Sequence, residues 1–208
     1  MEIINDFFSN RIYFVEVDGT KSAKVSLDVG CVQGSVLGPK LFSLYTRKIE
    51  ELAEICKDPH SKISTITYAD DTYVVIEQTP GRDIKALVES TLETHCQILE
   101  GLGMVVNHAK TEVMAVGGTN VSEISFKGTT IPVDCRMKAL GIIFDKNLTW
   151  EFQVVQVLAK SRGLMSTMRF LQKLLARYEF LRAMTPSYYG MCYYGSPVWL
   201  PVCRSSDL

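Results

Sequence analysis

Apolar and polar residues alternate from Arg11 to Val17 (RIYFVEV) and again from Ala23 to Val29, with the turn signal Asp18-Gly19 between the runs. Alternation puts every second side chain on one face of a strand, so the segment predicts a β-hairpin. Gly30 to Pro39 (GCVQGSVLGP) breaks the pattern as a glycine-rich loop, and Leu41, Leu44, Tyr45, Ile49, Leu52 and Ile55 then follow near helical spacing across Lys40 to Cys56. Two further strand-like runs, ISTITY and TYVVIE, flank Ala69, Asp70 and Asp71 and predict a second hairpin with its carboxylates at the turn. From Ile84 to Leu102 the apolar positions (Leu87, Val88, Leu92, Cys96, Leu99) return to helical spacing and stop at Gly101 and Gly103. Short strand-like pieces come next: MVVN, EVMAVGG, EISFKG and a hairpin-like KALGIIFDKNLTW. Glu151 to Met184 reads as helix, with an interruption expected near Gly163 and an end at Pro186.

The resulting order, ββαββαββ and then helix, is an α+β pattern: an antiparallel sheet with helices on one face, followed by a helical tail. Strand patterning gives way to helix near Trp150, which divides the chain into 1–150 and 151–208. A length of 208 residues with 47% apolar and 22% charged residues is the profile of a folded domain and excludes a disordered or fibrous chain. No run is long and apolar enough to span a bilayer, and MEIINDFFSN lacks the basic segment of a secretory signal. The cysteines, Cys31, Cys56, Cys96, Cys135, Cys192 and Cys203, lie at wide irregular spacings, which suggests neither a disulfide framework nor a zinc site. A reducing intracellular compartment is the expectation, with nucleus and cytoplasm equally open.

A net charge of −1 argues against binding nucleic acid through bulk positive charge. Its distribution changes that picture: residues 1–135 hold 12 basic against 19 acidic residues, whereas Arg136 to Arg182 holds 9 basic against 3 acidic. Arg162, Arg169, Lys173 and Arg177 recur at seven, four and four residues, so a continuous helix would line them along one face, with Leu164, Met168, Leu171 and Leu175 on another. Such a face either meets solvent or binds phosphate.

The densest candidate chemistry is Tyr68-Ala69-Asp70-Asp71. Adjacent carboxylates repel unless solvent or a cation separates them, and hard oxygen donors suit Mg²⁺ or Mn²⁺, which take carboxylates together with substrate phosphates. A bare Asp-Asp pair more often marks a solvated turn, so the flanking segments decide between the readings. In chain order stand GCVQGSVLGPKLFSLYT, YADDT, GLGMVVNHAKTE, KALGIIFDKNLTW and a basic helical region reaching YYGSPVW. This series resembles the reverse transcriptases of non-LTR (LINE-type, jockey-like) retrotransposons, over nearly the whole chain: motif B loop and helix, catalytic motif C, motif D, the motif E primer grip and the start of the thumb.

The resemblance implies part of a right-hand polymerase palm (1–150) continuing into a helical thumb or connection (151–208), and RNA-directed DNA polymerisation by two-metal nucleotidyl transfer to a primer 3′-hydroxyl. By the same resemblance Asp70 and Asp71 bind Mg²⁺ (or Mn²⁺) and are catalytic, and Tyr68 lies beside the primer end. Gln33 and Gly34 position template and incoming nucleotide, and Lys110 sits near the triphosphate, where it offsets charge or donates a proton. Gly141 and Trp150 shape the primer-grip hairpin, with core packing an equal alternative for the tryptophan. Arg162, Arg169, Lys173 and Arg177 meet the nucleic-acid backbone. The implied partners are an RNA template, a DNA primer and a dNTP, with no membrane and an oligomeric state left open.

The chain departs from the family pattern in having Val32 where proline is usual and Gln153 where a histidine often stands, while Ala69 separates it from viral RNA polymerases, which usually carry glycine there. More consequentially, nothing before Asn10 matches the strand whose aspartate bridges both metals. The expectation is a fragment with an incomplete metal site, and the alternative is a non-catalytic nucleic-acid-binding remnant of such an element.

Overall fold

The computed structural model describes residues 2–78, 83–117 and 119–202, so Cys203 lies outside the described residues. The chain forms two compact units, Met1–Val106 and Asn107–Leu208, so the composition change at Trp150 falls inside the second.

The first unit opens with helix α1 (Glu2–Phe8) and four two-residue strands, β1 (Ile12–Tyr13), β2 (Glu16–Val17), β3 (Thr20–Lys21) and β4 (Val25–Ser26). The predicted hairpin is present as two short ladders, β1 with β4 and β2 with β3. They are separated where the Ser22 side chain intrudes: its Oγ accepts the Val15 N–H at 2.9 Å in place of a backbone carbonyl. The predicted helix over 40–56 is α2 (Gly38–Tyr45), a 3₁₀ turn (Arg47–Glu51) and α3 (Leu52–Ile55). It breaks at Thr46, whose hydroxyl donates back to the Phe42 carbonyl at 3.0 Å, while the Ile49 N–H turns to the Thr46 carbonyl three residues back.

Strands β5 (Ser61–Tyr68) and β6 (Asp71–Gln78) pair in one unbroken antiparallel register from Ser61↔Gln78 to Tyr68↔Asp71. Helix α4 (Ile84–Gly101) matches its predicted span to within a residue. Asp83 caps it by accepting the Lys85 and Ala86 N–H groups, and Gly103, at φ 68°, closes it in a Schellman motif with Gly103 N–H on Glu100 and Met104 N–H on Leu99. The buried residues include Thr46, Ile49 and Leu52 on one side and Thr91, His95 and Cys96 of α4 on the other.

In the second unit a 3₁₀ turn (His108–Lys110) precedes β7 (Val113–Met114), β8 (Glu123–Phe126), β9 (Thr129–Asp134), β10 (Arg136–Ala139) and β11 (Ile142–Asp145). Helices α5 (Glu151–Leu171), α6 (Arg177–Tyr193) and α7 (Ser196–Trp199) complete it, with a final 3₁₀ turn (Leu200–Val202). Ile124, Phe126 and Ile131 are buried in the β8–β9 hairpin, and Trp150, Val154 and Trp199 form a second cluster with Ile142, Phe144 and Val157 against it.

The α+β content stands, but the single sheet with helices on one face does not. The described strands form five small sheets: four two-stranded pairs and the three-stranded β7-β9-β8, in which β7 and β9 run parallel. Alternation reveals that a strand has one buried face but not which neighbour it pairs with, and here most strands pair across their own tight turns.

The tail also differs. Gly163 lies within an unbroken α5, and Pro186 lies inside α6 rather than ending it. The break comes at 172–176, where Lys173 and Leu174 donate three residues back and Ala176 is extended (ψ 149°), so that α6 folds back onto α5 and the Ser161 hydroxyl donates to the Tyr188 hydroxyl at 3.3 Å. Half-burial of Phe180, Met184, Tyr188 and Met191, with Tyr188 against α5, holds α6 together across the donor that Pro186 lacks. Among the described residues no helix is long and apolar enough to cross a membrane.

Candidate active site

The two-residue connection Ala69-Asp70 closes the β5–β6 ladder immediately after the Tyr68↔Asp71 pair. Ala69 takes φ 52°, a left-handed conformation that strains any residue bearing a Cβ by roughly 1 kcal/mol. The tight reversal puts Tyr68, Asp70 and Asp71 together at the exposed tip, with Tyr68 64% exposed. Asp71 Oδ2 accepts the Tyr73 hydroxyl at 3.2 Å, a contact that follows from i and i+2 sharing one face of a strand. Towards its base, from Ser61 to Thr65, β5 is mostly half-buried, and it emerges at Ile66. The paired carboxylates thus stand at the free end of an anchored hairpin.

Gln33 and Gly34 occupy the middle of a turn closed by the Ser35 N–H on the Val32 carbonyl at 3.2 Å. Gly34 has φ 83°, the second-position signature of a type II turn, and nothing lies within 4 Å of where its Cβ would be. The glycine is required there for backbone conformation, and both residues are exposed. The helix start is built by a different glycine: Ser35 Oγ accepts the Gly38 N–H at 3.0 Å, and a Cβ on Gly38 would lie 2.8 Å from that oxygen.

Lys110 belongs to the second unit and ends the 3₁₀ turn that Asn107 caps through the Ala109 N–H. His108 packs on the buried Phe126 ring at 4.9 Å, and Lys110 is left exposed. Gly141, at φ 85°, forms the β10–β11 connection with Leu140. Its Cβ position lies 3.3 Å from the Tyr194 ring, and the Tyr194 hydroxyl donates to the Leu140 carbonyl at 2.6 Å. Gly141 also lines a shallow groove of about 200 Å³ with Gln156, Lys160, Gly190 and Tyr194. Trp150 is a core residue, 5% exposed, with its ring 5.1 Å from Phe144.

The four basic residues of the tail do not share one continuous helical face. Arg162 and Arg169 lie seven apart on α5, Lys173 falls in the 172–176 turn, and Arg177 begins α6, because the chain reverses between the helices. All four are exposed.

Two residues that build this unit escape the sequence reading. Asp145, 4% exposed, accepts the N–H groups of Asn147, Thr149 and Trp150 and the Thr149 hydroxyl, all at 2.9–3.2 Å. Burial alone would raise its carboxyl, but those backbone and hydroxyl donors hold it below its ordinary value. This clasp fixes Trp150 in a left-handed conformation (φ 67°) at the start of α5. Gln153, 2% exposed, ties α5 to β11 by accepting the Ile143 N–H at 3.0 Å. Their signals were an aspartate closing a strand just before Asn-Leu-Thr-Trp, and a glutamine beside Val154 and Val157 on the buried stripe.

Asp70 and Asp71 offer hard oxygen donors, the kind that share a Mg²⁺ with substrate phosphates. Among the described residues no group of three or more His, Cys, Asp or Glu side chains is arranged to hold a metal by itself.

The family model described as reverse transcriptase (RNA-dependent DNA polymerase) matches residues 1–144. The chain is 26% identical over 171 residues to the RNA-directed DNA polymerase from mobile element jockey of Drosophila melanogaster, covering 81% of this chain and 19% of that protein. It is 23% identical over 172 residues to the jockey polymerase of Drosophila funebris, covering 82% and 19%. It is also 26% identical over 153 residues to a probable RNA-directed DNA polymerase from transposon BS of Drosophila melanogaster, covering 71% and 17%. The chain therefore spans about a fifth of the length of these relatives. No solved structure matches it significantly.

Proposed function

Because this chain belongs to the reverse transcriptase family, we propose that it is the motif B to thumb portion of a jockey-like RNA-directed DNA polymerase. The observation that carries the reading is the exposed Asp70-Asp71 pair at the tip of an anchored hairpin, within the residues that the family model matches. Residues 1–150 are the palm portion and 151–208 the thumb.

In the reaction a primer 3′-hydroxyl forms a bond to the α-phosphorus of a dNTP, the bond from that phosphorus to pyrophosphate breaks, and the hydroxyl proton passes to water. Asp70 and Asp71 would hold the divalent cation, Mg²⁺ or Mn²⁺. When bound, the ion neutralises phosphate charge and eases loss of that proton. Tyr68, at the same tip, sits beside the primer end, and the Gln33-Gly34 turn positions template and nucleotide. Lys110 offsets charge on the leaving pyrophosphate or protonates it. Gly141 lets the β10–β11 connection lie close to Tyr194 and so shapes the primer grip, while Arg162, Arg169, Lys173 and Arg177 contact the RNA–DNA backbone.

A second reading, a non-catalytic binder of primer–template, is favoured by the basic excess from Arg136 to Arg182. Primer extension on an RNA template with Mg²⁺ or Mn²⁺, run beside Asp70→Asn/Asp71→Asn, separates the two. Extension abolished in the double variant supports the polymerase. Salt-sensitive hybrid binding that survives the substitutions, without extension or carboxylate-dependent Mn²⁺ uptake, supports the binder. Absence of both extension and hybrid binding sinks both readings.

A further inference from the structure

Helix α6 carries three tyrosines and an arginine along one solvent-facing stripe. Tyr178, Arg182, Thr185, Tyr189 and Tyr193 follow at spacings of four, three, four and four, and every one is exposed. Phe180, Met184, Tyr188 and Met191 are half-buried on the opposite side, where Tyr188 meets Ser161 of α5. The Tyr189 and Tyr193 rings lie parallel, 9° apart in plane with centroids 5.6 Å apart, and these residues remain 51% and 59% exposed. A helix seeking only a protein core would present aliphatic side chains at these positions.

Charge identifies the occupant. From Lys160 to Arg182 the chain holds six basic residues and one acid, Glu179, so the ligand is polyanionic. A duplex offers such a surface its phosphates but keeps its base faces stacked inside, whereas unpaired bases present flat π-faces to aromatic rings. We infer that the exposed face of α6 is a stacking platform for unpaired bases of a single-stranded nucleic acid, with Tyr189 and Tyr193 taking bases and Arg182 a phosphate. Tyr178, 74% exposed one turn before Arg182, extends the track. The inference rests on the proposed nucleic-acid function and goes beyond it, since backbone contact alone requires no aromatic face.

The test uses the 208-residue chain and three labelled ligands read by fluorescence anisotropy: an oligothymidylate of about twelve residues, an abasic oligonucleotide of equal charge, and a duplex. Each stacked base is expected to tighten oligothymidylate over the abasic strand by about 5- to 150-fold. Tyr189→Ala/Tyr193→Ala should erase that ratio while leaving abasic and duplex affinities unchanged, and Tyr189→Phe/Tyr193→Phe should keep it. Circular dichroism of each variant verifies the fold. Equal affinity for oligothymidylate and abasic strand, or a ratio that survives the alanines, overturns the platform alone. No binding to any of the three overturns the proposed nucleic-acid function as well. If the tyrosines instead mediate self-association, shown by a sedimenting dimer that the alanines dissolve without any base-dependent binding, the platform is likewise overturned.

Discussion

Two hairpins of this chain share a design and differ in how they are held. Both β5–β6 and β10–β11 are antiparallel ladders closed by two-residue connections, Ala69-Asp70 and Leu140-Gly141, and each connection contains a residue with positive φ. The β10–β11 tip is tied down: Tyr194 donates to Leu140, and Gly195 comes so near Ile142 that a Cβ there would lie 2.3 Å from Cδ1. At the β5–β6 tip Tyr73 donates to Asp71 within the hairpin itself, the tip residues Tyr68, Asp70 and Asp71 are exposed, and the half-buried part of β5 lies towards the base. A hairpin held at its tip is a fixed part of the scaffold, whereas one held at its base presents side chains to a ligand. A two-residue hairpin connection thus serves packing in one place and exposed chemistry in the other, and what surrounds the turn makes the difference.

Substitutions at the two tips should therefore separate activity from stability. The largest effect is expected for Asp70→Asn/Asp71→Asn, which should reduce any primer extension by about 10³-fold or more, several kcal/mol of barrier. Its urea midpoint should stay unchanged because both carboxylates are exposed. A shifted midpoint would show that the β5–β6 tip is structural after all.

Next is Asp145→Asn, which removes a charged acceptor from four hydrogen bonds behind β11 and should destabilise the second unit by about 2–4 kcal/mol. The pH dependence has a definite sign. The folded carboxyl titrates below its unfolded value, so its contribution is complete above the unfolded pKa, about 3.9, and is lost as pH falls through the lower folded value. Acid titration by near-ultraviolet dichroism of the Trp150 cluster should show that loss in the native chain and a flatter profile in the variant.

Gly141→Ala places a Cβ at φ 85° and 3.3 Å from the Tyr194 ring, and should cost about 1–3 kcal/mol in thermal or urea unfolding. A neutral result would mean that Tyr194 does not pin this tip in solution. Smallest is Ala69→Gly, which relieves the left-handed strain and should change stability by no more than about 1 kcal/mol. Any effect should fall on Mn²⁺ affinity, measured by electron paramagnetic resonance, because the aspartates lose a stiff neighbour.

The parts legible in the sequence are those whose signals are local. The eight-residue strands around Asp70 are rich in β-branched residues on both sides of a tight turn, and α4 carries its own stop at Gly101 and Gly103. The parts that were not legible depend on side chains acting over a few residues or on packing across elements. Thr46 breaks a helix by bonding backward, the 172–176 reversal has neither glycine nor proline to mark it, and Pro186 is carried within α6 by packing. The same holds for the site: the carboxylate pair announces itself, whereas Asp145 and Gln153 look like ordinary polar residues until the backbone donors around them are known. A run of basic residues read as one face because a helix was assumed to continue through Lys173.

The unbroken register of β5–β6 makes this hairpin a parity device. Side chains alternate faces, so inserting or deleting one codon between Ser61 and Tyr68 would swap the inward and outward sets on one strand and put Ile63 and Thr65 where Lys62 and Ser64 had been. Loss of one codon from each strand, opposite one another, would instead shorten the ladder by a rung and keep Tyr68 facing Asp71 at the tip. Length variation here is therefore quantised: removing two codons from each strand keeps every outward position outward, whereas one from each keeps Tyr68 paired with Asp71 but turns the tip to the opposite face.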